Sequence, residues 1–134
     1  MKKFKQIDLN PYLINIPNPK IGLIALSTDL TIEQDYRRVC HDIPVDIFVN
    51  RIPFENPCTH ENYLKMSEHL PFIANDILPN KNIDTIAYGC TSGTIAIGKN
   101  TIESQIHKLK PGAYVTTPIT SVIKAFKNLN INKI

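Results

Sequence analysis

The sequence predicts an α/β fold, a doubly wound parallel sheet with helices on both faces. Three observations predict it. From residue 21 onward, short apolar or β-rich runs alternate almost without exception with stretches of helical period. The first run, Ile21-Gly-Leu-Ile-Ala-Leu26, is apolar throughout, which suits a strand buried on both sides rather than one with a wet face. Hydroxyls, amides and charges collect where these strands end, the place where ligands bind in such sheets.

Taken in order, residues 1–20 are polar, carry Pro11, Pro17 and Pro19, and read as an extended arm preceding an α/β domain over 21–134. After the first strand, Thr31 with Gln34 three residues on makes a capping box for a helix ending near Val39. Val45 to Val49 is the second strand. Thr59 opens a helix in which Tyr63, Met66, Leu70, Ile73 and Ile77 recur at helical spacing, and Pro71 is expected to kink or split it. Ile83 to Tyr88 is the third strand. Asn100 with Glu103 forms another capping box, with Ile102, Ile106 and Leu109 on one face. Pro111-Gly112 punctuates. Tyr114 to Thr116 is a fourth strand, and Ser121 to Leu129 a helix with Val122, Ile123, Phe126 and Leu129 on its apolar side. Ile131 to Ile134 resembles the entry to a fifth strand, so the domain reads as truncated. No internal repeat is visible.

Composition narrows the function classes. A chain of 134 residues, 43% hydrophobic and 20% charged, is sized for one globular domain with a real core. With no Trp and few aromatics, neither an aromatic cage nor a base-stacking platform is indicated. The net charge of +3 is mild and sits largely in Lys2, Lys3 and Lys5 at the start and in scattered lysines near the end, whereas a nucleic-acid groove needs a dense basic stripe. No apolar run is long enough to span a membrane, and Asp8, Asn10, Pro11 and Asn15 break any signal-peptide core, so a cytoplasmic location is expected. Three cysteines without CxxC spacing argue against a disulfide framework and leave room for a reactive thiol.

Four segments follow the strands: Ser27-Thr28-Asp29, Arg51 with Glu55-Asn56, Gly89 to Gly93, and Thr116-Thr117-Pro118 with Thr120. Gly89-Cys90-Thr91-Ser92-Gly93-Thr94 is the sharpest. Two glycines at a strand-to-helix turn let backbone approach an anion, and a helix N-terminus would favour the Cys90 thiolate. The competing reading, that Cys90 is a small buried hydrophobe, stands level with it. No Lys follows the second glycine, so this is not a phosphate-cradling Walker loop. Cys40 and Cys58 read as structural or incidental. His41, His60, His69 and His107 share no face and no metal spacing. Asp29, Glu33 and Asp35 suit the first turn of a helix better than a metal site. Arg51 is equally placed to clamp a carboxylate or to pair with Glu55.

Four motifs occur in order: Ile21-Gly-Leu-Ile-Ala-Leu-Ser-Thr-Asp-Leu-Thr31, Arg51-Ile-Pro-Phe-Glu-Asn-Pro57, Tyr88-Gly-Cys-Thr-Ser-Gly93 and Val115-Thr-Thr-Pro-Ile-Thr120. Together they resemble the maleate isomerase, arylmalonate decarboxylase and ectoine-utilisation branch of the aspartate/glutamate racemase superfamily, from about Lys20 to the end of the chain. The resemblance implies half of a racemase-like fold of two similar halves, with the active site between them and one catalytic residue, usually a cysteine, from each. It places Cys90 as the catalytic cysteine of the first half. It implies that Thr91 and Ser92 hold a substrate carboxylate, with Thr117 and the Ser27-Thr28-Asp29 turn bordering the same pocket. The chemistry implied is addition of a thiolate to the double bond of a small dicarboxylate, or proton transfer beside a carboxylate in a racemase or decarboxylase. No metal or organic cofactor is needed for either.

Asp29 stands where maleate isomerases carry an asparagine that contacts substrate. An unpaired carboxylate there would repel a dianion, which points to a substrate with an amino or other cationic group. The expected partners are a small carboxylate and either a further copy of the chain or a missing C-terminal half, with no nucleic acid and no membrane. The rival expectations are an inactive fragment or split subunit that only binds a carboxylate, and an anion-binding module to which Cys90 is irrelevant.

Overall fold

The structure, a computed structural model, describes residues 18–133. Four parallel strands form one sheet in the order β2-β1-β3-β4: β1 Lys20–Leu26, β2 Asp46–Ile52, β3 Thr85–Tyr88 and β4 Tyr114–Thr116. Five helices connect and follow them: α1 Ile32–Val39, α2 His60–Asp76, α3 Thr91–Ile97, α4 Lys99–His107 and α5 Pro118–Asn128. The order steps outward from β1 to β2, then back across β1 to β3. Right-handed crossovers therefore put α1 on one face and α2, α3 and α4 on the other. The doubly wound α/β architecture expected from the sequence is the one observed.

The core lies between the sheet and the α2 side. Ile24, Ile52, Ile86, Tyr88 and Val115 project from the strands against Met66, Leu70 and Ala74 of α2 and Ile102 and Ile106 of α4. Pro71 does not split α2, which runs unbroken for 17 residues with Pro71 itself buried. One missing N–H in a long packed helix is outweighed by the apolar face on either side of it. The Thr59 cap holds, its hydroxyl accepting from the Asn62 N–H.

Both expected capping boxes are absent. At α1 the Thr31 side chain makes no cap bond, and Gln34 turns to the Leu30 carbonyl. Asp29 does the capping, its Oδ1 accepting from the backbone N–H groups of Thr31 and Ile32, both at 2.8 Å. Asn100 lies inside α4, which starts one residue earlier after Gly98, and Glu103 faces Lys99 at 3.9 Å. The last helix begins at Pro118 rather than Ser121, because Thr117 and Thr120 form a capping box and proline suits the first helical turn. Its apolar residues are not core: none of α5 is buried, and Val122, Ile123 and Leu129 are largely exposed. Residues 131–133 form no strand, and Ile134 lies outside the described residues, as does the expected arm over residues 1–17. Among the described residues no helix is long and apolar enough to cross a membrane.

Candidate active site

The carboxyl ends of all four strands share one edge of the molecule, because the sheet is parallel and in register from Leu26 beside Ile52 to Ala87 beside Thr116. The four loops singled out in the sequence meet along it. Ser27 N–H bonds to the Ile52 carbonyl and Gly89 N–H to the Ile24 carbonyl, both at 2.9 Å, which stitches the loops after β1, β2 and β3 together. Gly89 is required by this closeness. A Cβ there would stand 2.5 Å from Ile32 Cδ1 and 3.1 Å from the Ile24 carbonyl oxygen.

Cys90 follows β3 directly and is the N-cap of α3. Its extended backbone (φ −128°, ψ 113°) turns the side chain back over the helix, where Sγ accepts from the Gly93 N–H at 3.2 Å. The Cys90 carbonyl takes the Thr94 hydroxyl at 2.6 Å. α3 is only seven residues long, so its macrodipole is weak, and its direct contact with the sulfur is this N–H bond. Cys90 is buried, while Thr91 and Ser92, the next two residues, are exposed at the helix start. Their backbone N–H groups belong to the first turn, which has no partners inside the helix.

Two tyrosines complete the surroundings of the thiol. Tyr88 is fully buried, and its hydroxyl lies 3.8 Å from the Met66 sulfur. Burial pushes its pKa far up, and the neighbouring Cys90 adds to the rise. From α2, the Tyr63 hydroxyl comes within reach of the Cys58 thiol and the Ser92 hydroxyl; its pKa is raised first by Cys58 and then by burial, with Ser92 pulling the other way. The Tyr63 ring also packs at 6.2 Å, tilted, on Phe54 in the loop after β2. Sequence reasoning assigned Tyr63 to the core period and Cys58 to an incidental role. The missed signal was the position of Tyr63 one turn inside a helix whose cap, Thr59, directly follows Cys58.

The remaining candidates are placed as follows. Thr117 is buried, and its hydroxyl is engaged with Thr120, in a group of hydroxyls that also includes Thr116 and Ser121. Thr28 is exposed in the loop after β1. Asp29, in the same loop, has its pKa lowered by the two backbone N–H groups it caps, with Arg51 contributing least. Arg51 pairs with Glu33, not Glu55, and donates to the carbonyls of Leu26 at 3.1 Å and Asp29 at 2.7 Å. It braces the loop after β1, and that work occupies the guanidinium that was a candidate carboxylate clamp. Among the described residues no three His, Cys, Asp or Glu side chains group as metal ligands. A cavity of about 540 Å³ lies at the opposite end of the sheet, lined in part by Asn80, Asp84 and Lys110, away from this chemistry.

No protein-family model matches the chain, and no curated protein matches it. Solved structures do. The chain is similar to the maleate isomerase Iso from Pseudomonas putida S16, with a TM-score of 0.65 and 14% identity over 84% of this chain and 50% of that one. It is also similar to the Nocardia farcinica maleate cis-trans isomerase, in a cysteine-to-serine mutant with a covalently bound succinylcysteine intermediate, with a TM-score of 0.69 and 16% identity over 84% and 49%. The same Nocardia enzyme bound to TRIS gives a TM-score of 0.66. The chain thus spans about half the length of the structures it matches, and it shares with that half of a maleate isomerase its parallel α/β fold.

Proposed function

We propose that the chain is the thiol-bearing half of a cofactor-independent, cysteine-dependent isomerase or racemase-type enzyme acting on a small carboxylate in the cytoplasm. The observation that carries the reading is the setting of Cys90. It is a buried cysteine at the carboxyl end of a central strand, its sulfur held by the Gly93 N–H, in a fold shared with maleate isomerases.

In this reading the Cys90 thiolate adds to one alkene carbon of a cis dicarboxylate, and the π electrons move into the adjacent carboxylate as an enediolate. Rotation about the new single bond and expulsion of the thiolate release the trans isomer. Thr91 and Ser92 serve the carboxylate through first-turn N–H groups and hydroxyls, placed where charge builds up. Thr28, Asp29 and Thr117 border the pocket. Asp29 is ionised, but two N–H groups and Arg51 offset its charge, so it repels a dianion less than an isolated carboxylate would. Because the chain spans half of its neighbours, the reading adds a second half, or a second copy, that supplies the other acid–base group. The chain alone is expected to bind and add to substrate without turning it over.

Incubation with maleate, followed by mass spectrometry of the peptides, tests the reading. The expected product carries one added maleic acid on Cys90, absent in Cys90→Ser. No adduct, or equal labelling of Cys40, Cys58 and Cys90, would sink it.

A further inference from the structure

We propose that the Tyr88 hydroxyl is a positioning donor for the Cys90 sulfur, moving its hydrogen bond from the Met66 thioether to Cys90 when that thiol ionises. The inference rests on the reading of Cys90 as the reactive thiol and adds to it the group that answers its charge.

Tyr88 is the last residue of β3, and alternation points it with Ile86 into the core on the α2 side. A buried phenol needs a hydrogen-bond partner. The acceptor present is Met66 Sδ at 3.8 Å, and a thioether is a weak one. Gly93 shows how tightly the groups converge. A Cβ built on it would fall 2.3 Å from the Tyr88 hydroxyl oxygen, 3.0 Å from Cys90 Sγ and 3.1 Å from Met66 Cε. The Gly93 N–H already donates to that sulfur. A neutral thiol accepts poorly and a thiolate well, so the hydroxyl has a weak partner in one protonation state and a strong one in the other. Burial keeps the phenol protonated, hence a donor, throughout. The other titratable groups facing the sulfur are Tyr63, from α2, and through it Cys58 in the preceding loop.

The test is the pH profile of iodoacetamide alkylation, read on the Cys90 peptide by mass spectrometry, in the parent chain, Tyr88→Phe and Met66→Leu. Tyr88→Phe is expected to raise the midpoint by about one pH unit, roughly a fivefold slower reaction at the parent midpoint, with the alkaline plateau unchanged. Met66→Leu removes the competing acceptor and is expected to lower the midpoint. A Tyr88→Phe profile that overlays the parent overturns the proposal. Should Tyr88→Phe fail to fold, a Met66→Leu midpoint that stays or rises overturns it alone. Failure of the maleate adduct to form would instead count against the proposed function, so the two failures are told apart.

Discussion

At Gly93 the absence of a side chain leaves room for the Tyr88 hydroxyl and the Cys90 sulfur together. Alanine is the better helix former, yet its methyl would displace at least one of these groups. Gly93→Ala is therefore expected to cost about 1–3 kcal/mol in denaturant unfolding, and a gain in stability would contradict the packing. Asp29 is the other residue whose work is local. Its carboxylate caps α1 through two N–H groups. Asp29→Ala should cost about 1 kcal/mol and Asp29→Asn far less, since the amide oxygen still accepts. The folded carboxyl holds its proton less readily than the unfolded one, so this contribution is complete above the ordinary aspartate pKa. It fades as pH falls through the lowered value. A difference between parent and Asp29→Asn that stays constant from neutral pH down through the acid range would refute the assignment.

Element boundaries were legible where a period ran long. The spacing of Tyr63, Met66 and Leu70 marked α2, and all three are buried. The caps were less legible, because several polar residues near each helix start are chemically able to cap. The local turn decides between them, and at α1 it chose Asp29 over Thr31. The α3–α4 break depends on Gly98, whose φ of 86° is open to glycine and strained for other residues. Gly98→Ala is expected to lower stability by about 1–2 kcal/mol, although nothing lies within 4 Å of the added methyl. Gly112→Ala, equally uncrowded and without a positive φ, is the control and should stay near the parent in thermal melting.

At the scale of the whole molecule, the core cluster of the described residues lies between the sheet and the α2 side. Neither α1 nor α5 buries a residue, and Ile95 of α3 with Val122 and Ile123 of α5 leaves apolar surface in water. Such surface favours association or poor solubility. Sedimentation of the 15.1 kDa chain is expected to show species heavier than a monomer, lightened by the double change Ile95→Lys and Ile123→Lys. A soluble monomer at high concentration would contradict this.

The parallel α/β class, and the ends of the strands as the place for chemistry, were legible in the order of residues alone. Apolar runs separated by helical periods leave few ways to hide both faces of a strand. The same order singled out Cys90 between two glycines. The surroundings of that sulfur became visible once the elements were packed together. Tyr63 and Met66 lie more than twenty residues before Cys90, and they reach its neighbourhood because α2 packs over β1 and β2 and against α3. Tyr88, two residues away, looked like core until Gly93 and Met66 were seen to converge on its hydroxyl. Spacing along the chain records what an element buries, whereas a contact between polar atoms depends on how elements are placed in space. Arg51 makes the same point: its sequence neighbour was Glu55, but the strand order brought Glu33 to it.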